Sequence, residues 1–264
     1  MLPALVDIGV NLAHARFRND RDEVIARALA AGVPQMILTG TSEPASEAVL
    51  SLAKKRRGTL YSTAGVHPHD AKSCGPRTID ALRALCRNAE VVAVGECGLD
   101  FNRNFSPPPV QERWFAEQLA LAAEMKLPVF LHERDAHDRF LAIVREQRAS
   151  LCGGVVHCFT GTAAEAKAYL DLDLDLGITG WICDDRRGVG LRDVVKRVPL
   201  SRLMVETDAP FLTPRDLSPR PDRNEPAFLP HVLRAVAASM GLPAEEVAAA
   251  TTATAHRLFA KMKD

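Results

Sequence analysis

Val91-Val92-Ala93-Val94-Gly95-Glu96-Cys97-Gly98-Leu99-Asp100 is a β-branched run that delivers a carboxylate into a glycine-flanked turn. Side chains on a strand alternate, so Val92, Val94 and Glu96 are expected on one face, with the valines rooted in a core and Glu96 at the open end. An ionised carboxylate there is costly unless a cation or a hydrogen-bond partner meets it. Glu96 therefore reads either as a metal ligand or as a cap on a backbone amide of the turn. Three further apolar runs end in ligand-type residues: Pro128-Val129-Phe130-Leu131-His132, Gly154-Val155-Val156-His157 and Leu203-Met204-Val205-Glu206-Thr207-Asp208. Four strands with such residues at their C-terminal ends favour the metal reading.

Outward from these runs, the remaining strands are expected over Leu5 to Val10, Met36 to Gly40, Leu60 to Val66 and Leu174 to Ile178, with the sixth spanning Gly153 to Phe159. Helical spacing and caps fall between them, as in Asp20 to Ala31, Ser42-Glu43-Pro44 to Lys55, Thr78 to Arg87, Pro107 to Met125 and Thr160-Gly161-Thr162 to Leu170. Two more helices, Phe228 to Met240 and the stretch after Pro243, close the chain. Connections this long rule out hairpins and favour a parallel sheet, and eight repeats close it as an α/β (β/α)₈ barrel. A doubly wound open sheet is the competing fold, but it gathers ligands at one switch point rather than from strand ends around a ring. No linker or composition shift divides the chain, so residues 1–264 read as one domain. In Leu172-Asp173-Leu174-Asp175-Leu176, the alternation suggests solvated Asp residues.

Lys+Arg and Asp+Glu balance at 33 each, which argues against a protein that coats DNA but not against an enzyme touching a few phosphates. No apolar run approaches the ~18 residues of a membrane span, and the first residues lack a basic region followed by a long apolar core. The six cysteines form no C-x-x-C, so neither a disulfide framework nor a thiolate zinc site is indicated, and a reducing, cytoplasmic setting is expected. Cys97 and Cys158 follow Glu96 and His157 directly, and alternation turns them away as small buried filler. No obligate protein partner is implied.

The set Glu96, His132, His157 and Asp208 mixes hard oxygen with borderline nitrogen, which suits Mg²⁺, Mn²⁺ or Zn²⁺. Such a centre polarises phosphoryl or carbonyl oxygen and activates water, so hydrolysis is the expected reaction. If Glu96 is a ligand, other acids including Asp208 are expected near it. Glu96→Gln should then leave metal-free stability unchanged or slightly raised.

The stretches Gly95 to Asp100, Pro128 to Asp138, His157-Cys158-Phe159-Thr160-Gly161 and Glu206-Thr207-Asp208-Ala209-Pro210 resemble the TatD family of metal-dependent deoxyribonucleases, in order and spacing along nearly the whole chain. The resemblance implies a TIM barrel of the metal-dependent hydrolase superfamily. From Asp7-Ile8-Gly9-Val10-Asn11-Leu12 through Asp100 to Phe105 it implies a Mg²⁺-dependent 3′ to 5′ exonuclease on single-stranded DNA, with RNA as a second partner. It makes Glu96, His132 and His157 the ligands, makes Asp208 the catalytic acid/base or an added ligand, and puts His67 in the phosphate-facing loop. Many relatives carry D-x-H-x-H on the first strand, where this chain has Gly9 and Asn11, so one of two metal positions is expected to be weakened and a weaker, exchangeable Mg²⁺ is favoured over a tightly held pair.

Glu206, one pleat deeper than Asp208, would orient a ligand or water, or else pair with a buried cation. His69 either assists His67 or, the favoured reading, caps the loop, and Arg134 either clamps a phosphate or pairs with Asp138. Arg103, Arg186, Arg187, Arg215, Arg220 and Arg223 fall in loops after strands and suggest a basic rim. Trp181, Phe101 and Phe105 either stack bases or pack. Two alternative functions remain: hydrolysis of another ester or amide, such as an aminoacyl-tRNA ester, and a non-catalytic binding protein with a relic site.

Overall fold

A computed structural model of the chain describes residues 2–186 and 188–262, so Arg187 of the expected basic rim lies outside the described residues. The strands are β1 Val6–Val10, β2 Gln35–Leu38, β3 Leu60–Ala64, β4 Val91–Asp100, β5 Val129–Arg134, β6 Gly154–Val156, β7 Asp175–Ile178 and β8 Leu203–Val205. The α-helices are α1 Arg21–Ala30, α2 Glu43–Lys55, α3 Thr78–Cys86, α4 Pro108–Met125, α5 His137–Gln147, α6 Ala163–Asp171, α7 Gly188–Val195, α8 Leu229–Met240 and α9 Ala244–Leu258. Among the described residues no helix is long and apolar enough to cross a membrane.

The chain divides into two compact units. The first comprises the chain up to Leu38, Cys158–Leu170 and Asp175–Arg257, and the second comprises Thr39–His157, Asp171–Leu174 and the chain from Leu258. The eight strands form one sheet in sequential order, and the pairs described are parallel. Within the first unit the segment after β8 rejoins β1: Asp208 N donates to Gly9 O and Asn11 N to Ala209 O, both at 2.8 Å, and Val10 bridges Ala209 in parallel. Eight sequential parallel strands whose last rejoins the first make a (β/α)₈ barrel, the fold class read from the sequence.

The caps follow the side-chain chemistry. Ser42 accepts from Ala45 N at 3.2 Å and opens α2, with Pro44 in the first turn. Thr162 and Glu165 bond reciprocally at the start of α6, a capping box. In the second unit β4 is buried along its whole length, which is why its sequence runs apolar instead of alternating.

Three expectations need correction. The sixth strand stops at Val156, because the chain turns at His157 and Cys158 takes a left-handed φ of 49°. Helix α7 has no counterpart in the sequence reading, since Gly188 and Gly190 lower its propensity. Asp175 is not solvated: it is 1% exposed and is held by Arg202 at 3.1 Å and Arg257 at 2.9 Å. Two guanidiniums offset the cost of burying that carboxylate.

Candidate active site

Glu96 sits on a bulge. Gly95 pairs with Phe130 and Cys97 with Leu131, so Glu96 is the extra residue in the β4–β5 ladder, and its N–H donates instead to Gly40 O at 2.7 Å. A bulge re-aims a side chain. Strict alternation with Val92 and Val94, the sequence expectation, therefore does not carry through this point.

Three ring nitrogens converge on one oxygen, Glu96 Oε1: His132 Nδ1 at 2.9 Å, His157 Nε2 at 3.0 Å and His67 Nε2 at 3.3 Å. Burial alone would raise the Glu96 pKa, but His157, His67 and the hydrogen bonds from His132 and His157 hold it well below the usual carboxylate range. The groups around Glu96 Oε1 are thus imidazoles, where the sequence suggested acids. His157 is fixed by stacking on Phe130, ring centroids 4.8 Å apart.

His67 has a second task. It caps the short 3₁₀ helix Pro68–Ser73, its Nδ1 accepting from His69 N at 3.1 Å. Burial lowers its pKa, so the ring is neutral at pH 7, and a neutral ring that accepts at Nδ1 carries its proton on Nε2. His67 therefore faces Glu96 as a donor, and a metal bond at Nε2 would require the other tautomer.

The cap role expected of His69 thus belongs to His67. His69 Nε2 bonds Asp100 Oδ2 at 2.7 Å and its ring meets Phe105 edge-on at 4.7 Å. Asp100, to which the sequence reading gave no role, is 1% exposed and accepts from the backbone amides of Asn102 at 3.0 Å and Arg103 at 2.8 Å. Burial opposes its charge, but His132, the Arg103 amide and His69 hold it below the usual carboxylate range. Its place in the sequence was a usable signal: Asp100 ends the same strand two residues after a glycine, where an acid would otherwise be stranded. His132 Nε2 lies 3.5 Å from Asp100 Oδ2, too far for a hydrogen bond. Burial opposes a charge on His132, yet the carboxylates of Asp100 and Glu96 outweigh it and raise its pKa.

The first unit holds the other predicted acids. Asp208 adopts a left-handed φ of 55°, a conformation Asp tolerates better than most residues, and Asn11 Nδ2 donates to its Oδ1 at 2.9 Å. Asn11 thus orients a carboxylate. Glu206 is fully buried and its Oε1 accepts from Cys158 N at 2.5 Å, so it fixes the turn after β6. Asp7 accepts from Thr207 Oγ1 at 2.6 Å and Thr207 N at 2.9 Å.

Burial, opposed by the Thr207 and Gly9 hydrogen bonds and aided by the Glu206 charge, pushes the Asp7 carboxyl from 3.8 to about 8. Such a group binds its proton more tightly when folded, so its contribution to stability is full below about pH 4 and is lost as pH climbs to about 8. Asp7→Asn keeps shape and acceptor. It is expected to flatten the stability profile over that window and to raise Tm at about pH 8–9 by roughly 5 °C. Thermal melts of both proteins at several pH values check this, and parallel profiles would refute it.

The expected basic rim is only partly free. Arg223 is held by Asp20 and by Glu225 at 2.9 Å, and Arg215 by Asp184 at 3.0 Å. Both serve the fold. Arg103, Arg134, Arg186 and Arg220 are exposed. Phe105 is 54% exposed, Phe101 and Trp181 are half-buried, and Cys97 is fully buried as expected, whereas Cys158, expected to be buried as well, is only half-buried because the chain turns there with a left-handed φ of 49°.

The donor set around Glu96 fits a divalent ion. An oxygen with two lone pairs is met by three ring nitrogens, and His132 Nε2 is buried with no hydrogen-bond partner. Ligand-type atoms of His67, Glu96 and His132 lie within 4.8 Å of one another.

The sequence profile described as TatD related DNase matches residues 6–260. A protein of Klebsiella pneumoniae (strain 342) named 3′-5′ ssDNA/RNA exonuclease TatD is 54% identical over 257 residues, covering 97% of each chain. A protein of the same name from Salmonella typhimurium is 52% identical over 257 residues, 97% of this chain and 98% of its own. Among solved structures, the TatD homolog YJJV from Escherichia coli K12 superposes with a TM-score of 0.89 at 30% identity, covering 98% of this chain and 99% of its own. With a profile match along nearly its whole length and relatives above half identity, the chain belongs to the TatD-related DNase family of metal-dependent hydrolases.

Proposed function

We propose that this chain is a metal-dependent exonuclease that removes nucleotides from the 3′ end of single-stranded DNA, with RNA as a second substrate. The observation that carries the reading is the convergence of His67, His132 and His157 on Glu96 Oε1, in a chain 54% identical to a protein named for that activity. Glu96, His132 and His157 would hold the ion. When bound, it supplies Lewis-acid polarisation of the phosphoryl group and activation of water. Two or three imidazoles beside one carboxylate rank Mn²⁺ and Zn²⁺ ahead of the Mg²⁺ implied by the family resemblance, so all three are to be tested.

The chain's own groups divide the remaining work. Asp208, kept as the proton-transfer group on the strength of its motif, is held in one orientation by Asn11. His67 presents an Nε2–H as a donor. Arg134, exposed at the end of β5, meets a substrate phosphate, and Phe105, exposed beside His69, offers a face to an unpaired base. We further propose one folding domain, since neither unit is a continuous stretch of chain, and a reducing cytoplasmic setting, since the six cysteines are free thiols.

End-labelled single-stranded DNA, incubated with the chelated and the metal-reloaded protein, tests the reading. Stepwise shortening from the 3′ end, lost in chelator and restored by metal, is expected. Full activity after exhaustive metal removal, or no cleavage with any of the three ions, would overturn it. Cleavage of an aminoacyl ester without cleavage of DNA would favour the other hydrolase reading.

Grip on substrate can be separated from chemistry. Arg134→Ala and Phe105→Ala should each raise KM roughly tenfold with little change in kcat, as expected for losing a charge-assisted hydrogen bond or a stacked base. Only Arg134→Ala should also flatten the salt dependence of binding, by about 0.7 in the slope of log K against log salt. Unchanged KM in both variants would remove them from the binding surface.

A further inference from the structure

We propose that Cys183, Asp216 and His231 form a second metal site, for a borderline-soft divalent ion of the Zn²⁺ class. Cys183 ends the short 3₁₀ helix Gly180–Cys183 after β7, Asp216 lies in the loop after β8, and His231 is in the first turn of α8. All three belong to the first unit, and none takes part in the chemistry assigned above.

The ligand atoms of the three residues lie within 4.8 Å of one another, and His231 Nε2 is 2.8 Å from Asp216 Oδ1. Nitrogen and oxygen ligands about 2.0–2.1 Å from a tetrahedral ion stand about 3.3 Å apart, so admitting the ion requires those two atoms to part by only about half an ångström. The third ligand separates this group from an ordinary surface acid–imidazole pair. Cys183 is 3% exposed and directs a thiol to the same point from inside the unit. Burial, then the charge and hydrogen bonding of Asp216, keep its proton on, with the pKa pushed up to about 12. Binding therefore exchanges the S–H bond for a sulfur–metal bond and releases the proton to solvent. The Asp216 and His231 side chains are 42% and 33% exposed, leaving water to fill the fourth position.

Thiolate, imidazole and carboxylate together select against Mg²⁺, which takes all-oxygen sites, and for Zn²⁺ or its probe Co²⁺. The Glu96 cluster offers no thiolate, so the two sites differ in a property that a spectrum reads. An ion here would tie three segments of the first unit together: the turn after β7, the loop after β8 with Pro210, Pro214, Pro219 and Pro221, and α8. Its role would be to order that loop.

The full chain, stripped with chelator and titrated with Co²⁺, tests the site. A thiolate-to-cobalt charge-transfer band in the near ultraviolet should grow to one equivalent and be displaced by Zn²⁺. Cys183→Ser should abolish that band while leaving the visible bands of cobalt held by the imidazole cluster. His231→Gln, at a partly exposed position, should weaken the charge-transfer titration at least tenfold. Zn²⁺ should raise the Tm of the wild type more than that of either variant. No charge-transfer band in the wild type, or a band of equal strength in both variants, would overturn the proposal whether or not the chain proves to be a nuclease.

Discussion

Glu96→Gln is expected to lower nuclease turnover by roughly 10³-fold or more and also to destabilise the metal-free chain. The first effect follows from removing the carboxylate of the ion-binding set, since Lewis-acid stabilisation of a phosphoryl transition state is worth several kcal/mol and about 1.4 kcal/mol is a factor of ten in rate. The second reverses the sign expected from sequence. If acids had surrounded Glu96, neutralising it would have relieved repulsion. Instead its Oε1 faces His132, His157 and His67 at 2.9, 3.0 and 3.3 Å. An amide in its place offers only a neutral oxygen to these donors and brings an NH₂ that competes with them. A loss of about 1–3 kcal/mol is expected, several degrees in Tm for a chain of this size. Melts with and without metal, beside one nuclease assay, read both effects. A variant as stable as the wild type without metal would restore the repulsive picture, and one that stays active would remove Glu96 from the site.

Gly98→Ala is expected to cost roughly 3–5 kcal/mol and to lose activity as well, although residue 98 has no side chain to contribute. Gly98 has a φ of +143°, a region L side chains rarely adopt, and it pairs with His132 across the β4–β5 ladder. A Cβ added there runs into the His132 carbonyl oxygen and lies 2.9 Å from its carbonyl carbon. The strain is worth about 1–3 kcal/mol and forcing the neighbouring backbone aside a similar amount. Any such shift moves His132 itself, so stability and catalysis should fall together, with Tm lower by roughly 10 °C. Gly75→Ala, at a glycine whose added Cβ would meet nothing within 4 Å and whose φ is ordinary, is the control and should stay within about 0.5 kcal/mol. A Gly98→Ala protein that melts and cleaves like the control would show that the strands have room there.

The same pair of strands shows what a sequence can and cannot disclose. The barrel was legible because parallel strands buried on both faces read as short apolar runs, and β4 is the plainest of them. Glu96, His132 and His157 were legible because each follows such a run. The bulge at Glu96 was not, since a one-residue slip leaves composition and spacing unchanged. The capping task of His67 was hidden for a different reason: which ring caps the 3₁₀ helix depends on backbone angles around Pro68–Ser73, and neither spacing excludes it. Asp175 looked solvated because its partners Arg202 and Arg257 lie 27 and 82 residues away in the chain. Asp100 is marked in the sequence only by its position. Its neighbour Leu99 and the glycine before it mark a strand end, and only the contacts of His69 and His132 show what the carboxylate meets there.

The junction of the last strand with the first carries a cost in time. Val10 meets Ala209 across about 200 residues of chain, and at about 5–20 residues per second the ribosome needs roughly 10–40 s to make what separates them. Throughout that interval β1 has emerged with the Gly9 carbonyl and Asn11 amide that will bond Asp208 and Ala209 still unmet. An apolar strand with an open edge is a template for a neighbouring nascent chain. Until residues 208 and 209 are made, that edge is open to such pairing, and the length of the exposure is set by their distance along the chain from β1 and not by the stability of the finished fold.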